Sequence, residues 1–222
     1  MYKYDLHVHT QETSPCANVT AADMMKIYKE NGYSGVVITD HYRPVFFNNS
    51  KFTSWQDKVD DFLKGYRIAK SLGDKYDIDV LLGIEFAFNN TKTNDFLIYG
   101  ITEEILKESP DLLSLGLEGL SKFCSQNDLL LYQAHPLRGY CHLEDITLLD
   151  GVEVHNGNPR HDSHNDEIEV IADKNNLYMI SGSDFHDFGD ENNGGIFTSH
   201  RIKTNDDLIK VLKNKDYTLF KG

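Results

Sequence analysis

Lys3-Tyr4-Asp5-Leu6-His7-Val8-His9-Thr10 opens the patterned part of the chain, and its reading decides the fold. Lys3–Val8 reads as a β-strand. Alternate side chains of a strand share a face, so His7 and His9 point the same way at its C-terminal end. Two imidazoles so placed make a chelating pair suited to Zn, Fe or Mn. A lone His-x-His pair specifies little, but the same kind of ending recurs along the chain. Asp40 and His41 follow the apolar run Gly35–Thr39. Glu85 sits inside the strand-like run Val80–Phe86. His135 follows Leu129–Gln133, His155 ends Gly151–Val154, and Asp184 and His186 follow Leu177–Ser181. Six predicted strands thus carry imidazoles or carboxylates to one edge. Glu85 is the most telling of these, because a carboxylate in an apolar run is costly unless paired or ligated.

Helical patterns separate the strands. Thr20 caps a helix whose apolar positions are Met24, Met25, Ile27 and Tyr28, and Asn31-Gly32 closes it. Further helices are expected from Ser54 to about Ser71 with Gly73 as terminator, over Leu112–Gln126, over Asp162–Asn175 and over Asp206–Lys213. Phe96–Ile101 and Ile196–Ile202 read as additional strands, and Asn48–Thr53 and Asn89–Asn94 as polar loops. Strand–helix alternation favours a parallel sheet with helical crossovers. A doubly wound sheet and a closed barrel both satisfy that pattern. Convergence of ligand-type residues from six strands favours the closed ring, whose active sites form at the C-terminal ends of its strands. No Gly-x-Gly-x-x-Gly turn and no P-loop lysine motif occurs. With no linker, repeat or low-complexity tract, residues 1–222 read as one domain.

Composition narrows the function. The 222 residues are 40% apolar and 26% charged, the balance of a globular protein, and no apolar run approaches the roughly 20 residues that cross a bilayer. Patterning begins at once, so no signal peptide and a cytoplasmic location are expected. Twenty-two Lys and Arg against 35 Asp and Glu give a net charge of −13, unfavourable for long nucleic acid, and no membrane partner is expected. Three separated cysteines, Cys16, Cys124 and Cys141, form no disulfide framework. Cys16 has no base paired with it in sequence and is not read as a nucleophile.

The ordered motifs Asp5-Leu-His-Val-His9-Thr10, Ile38-Thr-Asp-His41, Gly83-Ile-Glu85, Ala134-His135-Pro136 and Gly182-Ser-Asp184-Phe-His186 resemble those of the polymerase and histidinol phosphatase (PHP) superfamily. Each is short, but the set runs in order over most of the chain. The resemblance implies an α/β fold, a distorted (β/α)7 barrel, with a site of two or three divalent metal ions, commonly Zn, Mn or Fe. It implies that His7, His9, Glu85 and Asp184 hold one metal, that Glu85 bridges to a second shared with His135, and that His41 and His186 hold the third.

Two departures stand out. Family members often carry His or Asp five or six residues after the second histidine of the first motif, where this chain has Ser14 and Pro15; Glu12 is the nearest substitute ligand. Many members also have a histidine between the third and fourth motifs, absent here, where Asp95 could supply oxygen instead. Asp5 and Asp40 are expected to orient imidazoles from behind or to act as local caps. His155 is expected to line the pocket. Arg43, Arg138 and Arg160 all follow predicted strand ends, and Arg160 and Arg138 are the favoured phosphate clamps.

These readings imply a phosphoesterase that hydrolyses a small-molecule phosphomonoester with a metal-activated hydroxide, His41 or His186 assisting the leaving oxygen. The alternatives are a phosphodiesterase or exonuclease acting on short nucleotides, and a metal-binding module without catalysis.

Overall fold

The computed structural model describes residues 1–89 and 94–222. Among the described residues ten strands form one sheet. Its spatial order is β10 (Tyr217–Phe220), β9 (Gly195–Thr198), β1 (Tyr2–Val8), β2 (Gly35–Ile38), β4 (Asp79–Phe86), β5 (Phe96–Tyr99), β6 (Leu130–Gln133), β7 (Gly151–Asn156) and β8 (Tyr178–Gly182). The two-residue β3 (His41–Tyr42) pairs with β4 beyond the end of β2. The sheet curls until its ends meet. Phe185, just past β8, bridges Val8, with His9 N–H donating to Phe185 O at 3.1 Å and Phe185 N–H to His7 O at 3.3 Å. Strands β1, β2, β4, β5, β6, β7 and β8 therefore make a nearly closed, distorted α/β barrel.

Strand alternation divides the side chains into two layers. Leu6, Val37, Leu81, Leu97, Tyr99, Tyr132 and Ile180 pack together from six of these strands. Val80, Leu82, Ile84, Ile98, Val152 and Val154 face the other way and pack under helices. On one side the cover is α1 (Ala21–Glu30) and α4 (Lys64–Tyr76), through Met24, Met25, Tyr28 and Ala69. On the other it is α3 (Trp55–Phe62), α5 (Glu103–Glu108), α6 (Gly116–Gln126) and α7 (Asn165–Lys174), through Phe62, Leu106, Leu120 and Ile168. Helix α8 (Asn205–Asn214) crosses the end of the barrel opposite the histidines, where Leu208 and Leu212 join the inner cluster and Asn205 donates to Leu82 O and Ile101 O.

β9 pairs antiparallel with both β1 and β10 beside the barrel, and within the barrel β5 departs from the parallel expectation. β5 runs antiparallel to both β4 and β6. Only residues 87–95 separate β4 from β5, too few for the crossover of a dozen or more residues that a parallel neighbour needs. The reversal puts the start of β5, and with it Asp95, at the barrel end where the other strands finish.

Several element boundaries differ from the sequence reading. Ser54 does cap its helix, accepting from Asp57 N–H at 3.1 Å, but the expected Ser54–Ser71 helix is two: α3 stops before Leu63 and α4 runs on to Tyr76. Gly73 does not terminate α4. It lies within it because a Cβ there would sit 2.9 Å from Ile78 O, so the glycine serves close packing. The Leu112–Gln126 region is a short 3-10 turn followed by α6. The eighth strand expected over Ile196–Ile202 ends at Thr198. Helix α2 (Pro44–Asn48), α5 and β10 were not anticipated; each is short, with little periodicity to read. Most of the expected loop Asn89–Asn94 lies outside the described residues. Among the described residues no helix is long and apolar enough to cross a membrane.

Candidate metal centre

At the strand ends the inward-facing groups converge. His7 Nε2 lies 3.3 Å from Glu85 Oε1 and 3.4 Å from Asp184 Oδ1. His9 Nε2 lies 3.3 Å from Asp184 Oδ1 and 3.8 Å from Glu85 Oε2. His135 Nε2 is 3.1 Å from Glu85 Oε1 and 3.9 Å from Asp95 Oδ2. His41 Nδ1 closes on Glu85 Oε2, and the His186 ring is 4.3 Å from that of His9. Three overlapping sets emerge: His7, His9 and Glu85; Glu85, Asp95 and His135; and His9, His41 and His186. Glu85 belongs to two of them. The structure thus gathers His7, His9, His41, Glu85, His135, Asp184 and His186 into one cluster, with Asp95 at its edge.

The donor set fits divalent cations. His7, His9, Glu85 and Asp184 are almost wholly buried. Yet His7 Nε2, His9 Nε2, His41 Nδ1 and Glu85 Oε2 face one another and, among the described residues, have no hydrogen-bond partner outside the cluster. Buried polar atoms are ordinarily paired, and several that face only each other mark a place for an ion. Charge is also polarised within the cluster. Burial opposes ionisation of Glu85, but His41, His135 and His7 hold it well below the usual carboxylate range. Burial, then the charges of His186 and His41, push His9 well below the usual imidazole range, so its lone pair is available. Two cluster residues also adopt left-handed backbone conformations, His135 at φ 27° and Asp184 at φ 53°. Such conformations cost free energy, and they concentrate at functional sites.

A second ring of groups fixes the ligands. Glu153, inward-facing on β7, accepts from His7 Nδ1 at 2.9 Å through one oxygen, and through the other from His135 N–H at 3.0 Å and Asn156 Nδ2 at 2.9 Å. Occupying Nδ1 in this way leaves the His7 lone pair on Nε2, the nitrogen that faces the cluster. Gly182 permits the approach, since a Cβ there would meet His7 Cβ at 2.4 Å and Glu153 Oε1 at 2.9 Å. The sequence reading missed Glu153. The available signal was a carboxylate in phase with His155 on an otherwise apolar strand. Of the two roles expected for Asp5 and Asp40, the structure gives them that of local caps rather than of direct partners to the imidazole rings. Asp5 accepts from the backbone N–H of His7 and Ser183 and from Tyr28 Oη, while Asp40 accepts from Thr10 N–H, Thr10 Oγ1 and Ser14 Oγ. Both tie loops together beneath the ligands.

Other expected site residues are placed differently. Glu12 stands apart from the cluster, because its Oε2 accepts from Ala21 N–H at 2.9 Å at the start of α1, where a carboxylate is favoured by the helix dipole. His155 does not line the cleft. Its Nε2 meets Asn193 O at 2.9 Å and its Nδ1 meets Asn165 Nδ2 at 3.2 Å. Above the cluster opens a cleft of about 360 Å³ whose walls include Arg43, Arg138, Tyr140, Arg160 and His161. Arg160 spends both terminal nitrogens on Asp190, at 2.7 and 2.6 Å. Arg138 donates to Asp184, Asn156 and Ser163. Arg43 pairs with Asp95 at 3.0 Å but keeps a buried Nε without a hydrogen-bond partner. Cys16 also lines the cleft, with His41 Nε2 3.1 Å from its Sγ. Burial opposes ionisation of this thiol, but hydrogen bonds from His186 and His41 bring it down to about 6. The structure thus supplies the imidazole neighbours that sequence spacing did not show.

The model of the PHP domain matches residues 5–211. The chain belongs to the PHP domain family. Among solved structures, this PHP chain is similar to a two-domain protein from Bacteroides vulgatus containing a predicted PHP-like metal-dependent phosphoesterase. The TM-score is 0.67 at 14% identity, over 99% of this chain and 64% of that one. The PHP domain described here therefore spans about two thirds of that neighbour's length. It is also similar to PsfC from Pseudomonas syringae, with a TM-score of 0.63 at 15% identity over 94% of this chain and 88% of that one. An amidohydrolase from Chromobacterium violaceum, solved with sulfate and without metal, aligns with a TM-score of 0.54 at 16% identity over 85% and 89% of the two chains. No curated protein matches the sequence. At these identities the solved structures share the fold.

Proposed function

We propose that this PHP protein is a metal-dependent phosphoesterase that hydrolyses the phosphomonoester of a small molecule, with two or three divalent ions. The carrying observation is the set of buried imidazole and carboxylate atoms that face one another at the floor of the cleft in three ligand groups. His7, His9, Glu85 and Asp184 would hold one ion, Glu85, Asp95 and His135 a second, and His41 and His186 a third. Ions bound there supply Lewis acidity, activating water and offsetting charge on phosphoryl oxygens. The description of the Bacteroides neighbour as a phosphoesterase points the same way.

The chain's own residues do the rest. Arg43, which lines the cleft and is paired through one terminal nitrogen with Asp95, offers its remaining terminal donors to the anionic ester, whereas Arg138 is spread over Asp184, Asn156 and Ser163 and Arg160 is forked onto Asp190. Glu153 keeps the His7 tautomer that presents Nε2. A second hollow of about 550 Å³ adjoins the cleft, sharing Cys16, His41 and Arg43 with it and adding Val45, Phe46 and Lys51. It gives the alcohol portion of the ester a half-apolar seat.

The test is turnover by Zn- or Mn-loaded protein on p-nitrophenyl phosphate, bis-p-nitrophenyl phosphate, a panel of metabolite monoesters and a p-nitroanilide. Hydrolysis of monoesters, abolished by a chelator, is expected. Arg43→Ala should raise KM with a smaller effect on kcat. No turnover of any ester by metal-loaded protein, or turnover of the anilide alone, overturns the proposal. Faster diester than monoester hydrolysis would move the substrate to short nucleotides.

A further inference from the structure

The loop after His9 carries no conventional ligand at Ser14 or Pro15, and Glu12 is turned to α1. What the loop brings to the cluster is Cys16. Its Sγ is 3.1 Å from His41 Nε2, and it lines the cleft together with His186. His186 Nδ1 is engaged by Asp184 O at 2.8 Å, which leaves Nε2 as its ligating nitrogen. A third imidazole bears on the same place independently of the thiol: His9, wholly buried with its ring 4.3 Å from those of His41 and His186, offers with them one ligating atom apiece, all within 4.8 Å of one another, while its Nε2 also faces Asp184 and Glu85. The loop is held in place from both sides, with Asn18 N–H donating to His186 O at 2.8 Å and Ala17 N–H to Ser14 O at 2.9 Å.

We infer that Cys16 is a thiolate ligand of the ion shared with His41 and His186, and that this position takes a soft, zinc-class cation. The inference rests on the reading of the cluster as a cation site. Zinc binds thiolate at about 2.3 Å and imidazole at about 2.0–2.1 Å, so two such ligands at a tetrahedral angle stand about 3.5 Å apart. The present 3.1 Å between Sγ and Nε2 needs to open only slightly. On binding, the Sγ–H bond breaks, its proton passes to solvent, and the sulfur electron pair forms the bond to the ion. Thiolate disfavours Mn and Mg, which prefer oxygen, and favours Zn. A PHP-type cluster so completed would hold its outermost ion by a ligand that the first-motif departure alone does not reveal.

Cobalt is the probe. Loaded into metal-free protein, it should give a sulfur-to-cobalt charge-transfer band in the near ultraviolet. Cys16→Ser should abolish that band while cobalt absorption from the remaining ions persists, and Cys141→Ser and Cys124→Ala should leave it unchanged. Cys16 is exposed at the cleft wall, so serine there leaves the core intact. Zinc affinity of the weakest equivalent should fall in Cys16→Ser by no less than the about 10–100-fold that loss of an outer partner costs. Zinc should also protect Cys16 from alkylation in the wild type, read by peptide mass mapping, by about tenfold or more since the nucleophilic sulfur is then occupied. Cobalt binding without the band, or a band that vanishes only in Cys141→Ser, overturns the assignment of Cys16 and leaves the phosphoesterase proposal standing. Failure to bind cobalt or zinc at all overturns both.

Discussion

Glu153→Gln is the most informative substitution, because it keeps size and shape and changes only hydrogen-bonding capacity. Both oxygens of Glu153 accept: one from His7 Nδ1 at 2.9 Å, the other from His135 N–H at 3.0 Å and Asn156 Nδ2 at 2.9 Å. Glutamine has one oxygen and one NH2. If its oxygen faces His135, its NH2 faces His7 Nδ1, which must then accept. The His7 proton moves to Nε2, the atom 3.3 Å from Glu85 and 3.4 Å from Asp184, and His7 can no longer ligate there. If the oxygen faces His7, the His135 N–H and Asn156 NH2 meet a donor, leaving buried groups unpaired at about 1–3 kcal/mol. Either way metal affinity should fall about 10–100-fold, or about 1.4–2.8 kcal/mol. Competition between metal-free protein and a chromophoric chelator for zinc measures this, with thermal unfolding of the metal-free forms as the control for folding. A variant that matches the wild type within twofold in zinc affinity and melts at the same temperature would refute the argument that Glu153 sets the His7 tautomer.

Three further outcomes are expected. Glu85→Gln should lose metal and activity together, read by elemental analysis beside turnover, because it removes the charge shared by two ligand sets; His155→Ala, whose ring nitrogens are taken up by Asn193 and Asn165, should keep its metal, and equal losses would mean the cluster is drawn wrongly. Gly182→Ala forces a Cβ to within 2.4 Å of His7 Cβ, so it should destabilise the protein by about 1–3 kcal/mol and weaken metal binding, as followed by denaturant unfolding with and without zinc. Thr204→Ala removes the capping box of α8, in which Thr204 Oγ1 and Asp207 N–H stand 3.1 Å apart, and should cost about 1 kcal/mol. The Thr204 hydroxyl holds Asp207 below the usual carboxylate range. Its carboxylate therefore binds fewer protons folded than unfolded, and that contribution is complete above about pH 4 and lost as pH falls further. A Thr204→Ala difference that grew on acidification would contradict this sign.

Much of the barrel and its cluster can be read from the amino-acid order because both rest on short-range rules. Period-two alternation puts His7 with His9 and Leu81 with Glu85 on one face, and apolar runs interrupted by a carboxylate announce a paired or ligated group. Those rules name the strands, their inward faces and the residues delivered to one end. They say nothing about partners far apart in the chain. That β5 runs backwards and brings Asp95 to the cluster follows from a connection too short for a crossover. That Glu153 holds His7 requires closing the ring between residues 146 positions apart. Loop conformation was decided by tertiary contacts as well: Ser14 donates to Asp40 and accepts from His41 N–H, Glu12 is drawn to the first turn of α1, and Cys16 is left facing His41 and His186. The physical reason is one of range: backbone alternation fixes which way a side chain points within its own strand, whereas the identity of what it meets depends on barrel closure and on long-range hydrogen bonds that no local pattern encodes.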